Sequence, residues 1–417
     1  MTTTQFSTGS TRESLVASAD MWHTPLGPDG TPYAYFEALR DEMESQPIGW
    51  SEAHGGYWVV GGYEEAVQIF LDTDAFSNSI VSLPHYDTVT GNDRIIISEE
   101  DEPEHGIHRS LVAAGFSPKG VARYDDMLRK ATNDLIDGFI ADGHVDVAIP
   151  LQQIPSILTA FILGLPQEEG ETYRLWSDAI THMQYTDPER GRAISRDIHD
   201  HAFALIEQRR KESGGEDLIS FLLQSEIDGR RLSDEEIASF FVVLIIGGID
   251  NSAHFMPTMF WRIARDPELR NVLANDIVHD PRRLSLAVDE LLRYYGPAMV
   301  GRTVVKEITI GEVTMRPGDF AMMYMAVNNR ERKSFPDPDN LVLDRMPNKH
   351  LSLGHGLHRC LGLHLARREF SLVLQEFLRR IPDFELDPAK QPEWEMGQVS
   401  GFLSVPIVFP PGKPQTS

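Results

Sequence analysis

The stretch FFVVLIIGGIDNSAHF, residues 240–255, limits the fold more than any other. Residues 240–246 are apolar without a break, so as a helix they have no face to offer water and must be buried. The run falls far short of the ~20 apolar residues that span a bilayer. Just before it, SDEE at 233–236 supplies a capping serine and an acidic first turn. From about residue 120 to 295 the apolar period is mostly helical, interrupted by the turn signals LGLPQEEGE, SGGED and IDGRRLSDEE. A large helical body is the expectation.

Short strands flank it. GWSEAHGGYWVVGG alternates and turns like a β-hairpin after the amphipathic YAYFEALRDEMES, and GRTVVKEITIGEVTMRPGDFAMMYMAV carries β-branched residues and Gly turns. RERKSFPDPDNLVLDRMPNKH has too much Pro and charge for a regular element, whereas HLARREFSLVLQEFLRR reads as a helix ended before Pro382. The last segment, FELDPAKQPEWEMGQVSGFLSVPIVFP, reads as loop and strand. Residues 1–22 read as a flexible leader and residues 23–417 as one domain, mainly α with small β-sheets.

A formal charge of −25 over 417 residues argues against extended contact with nucleic acid or anionic lipid. The polar start lacks the apolar core of a signal peptide, and one cysteine cannot form an internal disulfide. These features predict a cytoplasmic enzyme with no membrane segment.

Two places carry chemistry. Inside the buried helix, Gly247 and Gly248 each cost about 1 kcal/mol relative to Ala, and Asp250 adds a carboxylate to an apolar run. The second place is LSLGHGLHRCLG, residues 351–362, which holds the single cysteine, Cys360, at what reads as a helix start. A helix N-terminus lowers a thiol's pKa because its unpaired N–H groups favour negative charge. Gly354 and Gly356 permit backbone conformations closed to other residues and close approach of a large planar ligand, and Gly362 leaves room for the helix to pack. Three chemistries fit this stretch. Cys360 could be a small buried hydrophobe, it could join His355, His358 and His364 around zinc, or it could ligate a haem iron, which uses every residue in the stretch.

LGHGLHRCLG resembles the haem-binding loop of the cytochrome P450 enzymes, with Gly354, Gly356, His358, Cys360 and Gly362 in matching positions and Leu353 where the family has Phe. The resemblance implies the single-domain cytochrome P450 fold and haem b (iron protoporphyrin IX), with Cys360 as the thiolate ligand of the metal. It extends along the chain from about residue 22. In DELLRYYGP, Glu290 and Arg293 share the i,i+3 spacing also seen at Glu37/Arg40, Glu207/Arg210 and Glu376/Arg379. Only Glu290/Arg293 stands where the family closes a structural triad, here through Arg345. EPEHGIHRSLVAAGFSP matches the family helix that turns His105 and Arg109 toward the haem carboxylates, with Arg302 and His358 completing the donors. By the same resemblance, the buried helix corresponds to the family segment that crosses the distal haem face. In the family, paired small residues open that helix locally, and an acid followed by Thr delivers protons during dioxygen activation. Asp250 matches the acid, while Asn251 replaces the Thr. An amide can order a water but is no hydroxyl relay, and Ser252 lies about 100° further round the helix.

The resemblance is greatest to the bacterial cineole-hydroxylating cytochrome P450 enzymes, which share the Asn and the Leu. It implies a monooxygenase that hydroxylates an unactivated C–H of a compact monoterpenoid such as 1,8-cineole, with another small terpenoid or aromatic substrate as the alternative. A Cys/His zinc hydrolase is the remaining class. Expected substrate contacts are Val243, Ile246, Gly247, Ala298, Met299, Val300 and Val399, with Tyr86 as the polar contact to an ether or carbonyl. Electrons are expected from a flavodoxin or an iron-sulfur ferredoxin with its reductase, docking on a basic patch of Arg359, Arg109 and Lys349.

Overall fold

The computed structural model describes residues 14–83, 94–212 and 214–415. At its centre runs one long helix whose start is set by a capping box. Ser233 Oγ accepts from the Glu236 N–H at 3.2 Å, and Glu236 Oε2 accepts from the Ser233 N–H at 2.7 Å. The helix is α over Asp234–Ile245, becomes a single π turn over Ile246–Asp250 and returns to α over Asn251–Ala264. Phe240, Phe241, Val242, Ile245 and Ile249 are all buried, as an apolar run without a polar face requires. By length and composition the 31 residues Asp234–Ala264 could cross a membrane, but 67% of the apolar window is buried inside the fold, as in a core helix.

The body around it is helical, as its periodicity predicts. Ala148–Leu163 packs along the central helix, Gly170–Thr181 lies against the π turn, and Leu363–Arg380 packs on Asp125–Asp137 and Pro281–Tyr294. Among the described residues the largest sheet has five strands. The predicted hairpin forms between Ile48–Ser51 and Tyr57–Val60. Phe320–Tyr324 pairs parallel to its second strand and antiparallel to Met299–Val304, and Phe76–Ser77 forms the far edge. An isolated bridge joins Ala298 to Val399, so the C-terminal segment 393–408 returns to the end of this sheet.

Part of the stretch expected as a leader over residues 1–22 is packed into the fold. Val16, Ala19, Met21 and Trp22 are buried against Tyr35, Phe36 and Tyr57, because each removes apolar surface from water. Residues 1–13 lie outside the described residues.

The irregular segment before the cysteine is held by the triad the sequence singled out. Glu290 and Arg293 are both 0% exposed and meet in two hydrogen bonds of 2.8 and 2.9 Å, while Arg345 Nε lies 3.0 Å from Glu290 Oε2. Arg293 also donates to the carbonyls of Asn329, Pro338 and Asn340, and Arg345 to those of Pro336 and Asp337. A buried ion pair tolerates its desolvation only when its remaining donors are satisfied in this way. The carbonyls of a loop that cannot form a ladder are thereby bonded to a fixed helix.

Candidate active site

Cys360 stands in a loop built by two left-handed glycines, Gly354 at φ +70° and Gly356 at φ +69°. Gly356 also has no room for a side chain, since a Cβ there would lie 2.5 Å from the Phe70 carbonyl oxygen. The Cys360 N–H donates to the Leu353 carbonyl at 2.8 Å, which closes the loop. Regular helix begins only at Leu363, so the cysteine precedes it by three residues. Burial pushes the Cys360 thiol up, and the Gly362 N–H and Arg109 only partly offset this. The expected lowering by the helix start is therefore outweighed, and a metal bound at sulfur is what would deprotonate it. Nor does Gly362 serve helix packing as expected. A Cβ there would point at Cys360 Sγ, 3.9 Å away.

The sulfur faces a cavity of ≈ 410 Å³, and what Cys360 exposes, it exposes into that space. Val243, Ile246, Gly247, Asp250 and Asn251 of the central helix line the cavity, and Ala298, Met299, Val300, Arg302 and Val399 line its flank. The two glycines at the π turn do different things. A Cβ on Gly247 would meet nothing within 4 Å, whereas one on Gly248 would lie 2.6 Å from Thr159 Oγ1. Gly248 thus lets Ala148–Leu163 approach closely, and Gly247 keeps space open. Tyr86 lies outside the described residues.

Cations gather at one edge. Arg302 is 4% exposed, lies over the Phe70 ring and donates to the Gly301 carbonyl at 2.7 Å. Among the described residues no carboxylate forms an ion pair with it, and burial pulls its pKa down to about 10. Arg109 lines the cavity and donates to the Arg359 carbonyl at 2.6 Å. His358 also lines it, with a pKa pulled down to about 3 by burial, His105 and Arg302, so this ring is neutral. His105 stands behind His358 rather than on the cavity wall, the two rings 3.9 Å apart. Its Nδ1 bonds Glu102, and its buried Nε2 has no partner among the described residues. An unpaired buried guanidinium and an orphaned imidazole nitrogen both call for an anion. A group with an apolar body, two carboxylates and a metal for the sulfur fits this set. Zinc does not: among the described residues His355, His358, Cys360 and His364 do not gather into a ligand set, and the set that does gather is elsewhere.

Two acids of opposite character border the cavity. Asp250 is buried, with Oδ1 3.1 Å from His254 Nδ1 and 3.9 Å from His182 Nδ1. Burial works against its charge, but the two histidines outweigh it and hold the carboxyl below its usual range. Glu369 is also buried, and burial pushes it up to about 8, against the hydroxyl of Ser252 that donates to it at 3.1 Å. One acid is held ionised at neutral pH and the other is mostly protonated.

Comparison with known proteins decides what the arrangement belongs to. Residues 171–409 match the family model described as Cytochrome P450. This chain belongs to the cytochrome P450 family. A Sinorhizobium fredii protein described as "Probable cytochrome P450 127A1" is 30% identical over 95% of this chain and 94% of its own length. The mycinamicin IV hydroxylase/epoxidase of Micromonospora griseorubida is 31% identical over 74% of this chain and 78% of its own. The crystal structure of CYP101J2 superposes with a TM-score of 0.82, at 26% identity, covering 96% of this chain and 100% of that one. Cytochrome P450 enzymes are monooxygenases that bind haem b through a cysteine thiolate and draw electrons from redox partner proteins.

Reading the sequence of this cytochrome P450 missed Glu369 and passed over Ser252, although both line the cavity. A signal was present. Gly362, Leu365, Ala366 and Glu369 fall at i, i+3, i+4 and i+7, one stripe of the helix after the cysteine. An acid at the end of that stripe faces whatever the cysteine faces. Ser252 reaches the cavity because the π turn ahead of it shifts the helix face, which a regular 3.6-residue period cannot anticipate.

Proposed function

We propose that this cytochrome P450 hydroxylates an unactivated C–H bond of a compact monoterpenoid such as 1,8-cineole. The observation that carries the reading is the apolar part of the cavity wall. Val243, Ile246, Ala298, Met299, Val300 and Val399 line the cavity with hydrocarbon and grip a small apolar body without fixing polar groups. Tyr86 is the proposed contact for an ether oxygen. Cys360 would hold the haem, and Arg109, Arg302 and His358, backed by His105, would meet its two carboxylates. Haem bound through a thiolate supplies the activation of dioxygen, one atom of which ends in the alcohol and the other in water.

The chain's own residues bind and move protons. Asp250, held ionised beside His254, accepts a proton from the solvent side and returns it at the cavity. Asn251 orders the water that carries it, in place of a hydroxyl. Glu369, mostly protonated at neutral pH, is a second store reached through Ser252. Electrons come from a flavodoxin or a ferredoxin at the exposed Arg359 and Lys349. Arg109, expected in that patch, is turned inward. The enzyme is read as cytoplasmic.

An absorption spectrum of the reduced, carbon-monoxide-bound protein tests the haem-thiolate assignment. The expected result is a thiolate-type Soret band that Cys360→Ala abolishes; a spectrum unchanged by that substitution would overturn it. Substrate class is tested by turnover of 1,8-cineole against a panel of small terpenoids and aromatics. Preferential turnover of a small aromatic would remove the monoterpenoid reading and leave the chemistry.

A further inference from the structure

On the solvent side of Asp250, three segments distant in sequence converge. His182 caps the helix Gly170–Thr181, His254 lies in the first turn of Asn251–Ala264, and Glu395 ends the strand Glu393–Glu395. Each offers one ligand atom, and these atoms all lie within 4.8 Å of one another. Glu395 Oε2 is 3.3 Å from His254 Nε2 and 3.8 Å from His182 Nε2. The Val399 carbonyl oxygen is 3.1 Å from that same His182 nitrogen. Ligands about 2 Å from one tetrahedral metal stand on the order of 3.3 Å apart, so the Glu395–His254 pair at 3.3 Å already fits and the wider pairs, within 4.8 Å, would have to close.

The surroundings are those of a built site. The second nitrogen of each ring is occupied: His254 Nδ1 faces the Asp250 carbonyl at 2.9 Å, and His182 Nδ1 faces Thr181 Oγ1 at 2.9 Å. The Asp250 carbonyl can only accept, so in the neutral His254 ring Nδ1 carries the proton and Nε2 keeps its lone pair, whereas His182 Nε2 must exchange its bond to the Val399 carbonyl for the metal. Two glycines clear the space. A Cβ on Gly397 would lie 3.0 Å from His182 Nε2, and one on Gly401 would lie 2.7 Å from His254 Cβ. Both imidazoles are buried, while Glu395 is 28% exposed and opens the cluster to solvent. Three carboxylates, Asp178, Asp250 and Glu395, lie 3.7 to 3.9 Å from the His182 ring nitrogens, a field that favours a cation.

We propose that His182, His254 and Glu395 form a binding site for a divalent transition metal of the zinc class. Two imidazole nitrogens with one carboxylate oxygen are a set that such ions take.

The test uses the haem-loaded protein and Zn²⁺ alone. Equilibrium dialysis with elemental analysis is expected to find one zinc per chain beyond the haem iron, and diffraction at the zinc edge to place it between the three side chains. Glu395→Gln and His182→Gln, each checked for an unchanged Soret band, should weaken retention about tenfold or more. His199→Gln, on the exposed helix face, should leave it unchanged. Absence of stoichiometric zinc, or equal retention in Glu395→Gln and His182→Gln, would overturn the site.

Discussion

At the scale of single residues, the cavity pairs an ionised acid with a mostly protonated one, and each makes its own prediction. Asn251→Ala removes the amide proposed to order water beside Asp250. Product per electron pair should fall several-fold, while substrate still shifts the haem spectrum. Full coupling in that variant would show that Asn251 does not serve the proton path. Glu369 bears on stability. Its carboxyl is raised from 4.5 in the unfolded chain to about 8 in the fold, so between those values the native state binds the extra proton. Stability is then highest below pH 4.5 on this account, falls as pH rises and has lost the full contribution above about 8. Glu369→Gln should flatten the decline in urea midpoint between pH 5.5 and 8.5; an unchanged slope would remove Glu369 as its source.

At the scale of elements, the π turn over Ile246–Asp250 explains why two glycines interrupt an otherwise apolar helix. The penalty of each glycine was visible in the sequence, but what each one serves was not, since this depends on a neighbour ninety residues earlier in the chain. Gly248→Ala drives a methyl against Thr159 and should destabilise by about 1–3 kcal/mol through overpacking. Gly247→Ala meets nothing and should be neutral or slightly stabilising, by up to about 1 kcal/mol from helix propensity. Thermal unfolding of the two variants side by side measures this contrast, and Thr159→Ala should rescue the first and leave the second alone. Equal losses in both would mean that the turn itself, rather than the packing, needs glycine.

At the scale of the whole molecule, a cluster centred on Glu290 ties the helix Pro281–Tyr294 to the irregular segment that leads into the cysteine loop. Glu290→Gln leaves two buried guanidiniums without their carboxylate and should cost about 3–5 kcal/mol, read as a lower urea midpoint together with earlier haem release. A loss below about 1 kcal/mol would show that the backbone carbonyls alone satisfy Arg293 and Arg345. The first described residues also belong to this scale. Val16, Ala19, Met21 and Trp22 looked like part of a leader because no periodicity marks them, yet they close the core beside the five-stranded sheet.

Local rules explain how much of this was legible. An apolar run, a capping box, alternating strands and the glycines around one cysteine act over a few residues, so the chain itself determined the helical body, the sheet segments and the cofactor loop. The pocket residues from Val243 to Val399 were reached through resemblance, and the structure gathers all but Tyr86, which lies outside the described residues, around one cavity. Only tertiary structure could decide the rest. Whether Glu369 is protonated, whether Arg302 has an anion beside it and whether His182 meets His254 and Glu395 depend on burial and on partners 72 to 213 residues apart. Desolvation, unlike helix propensity, has no sequence period.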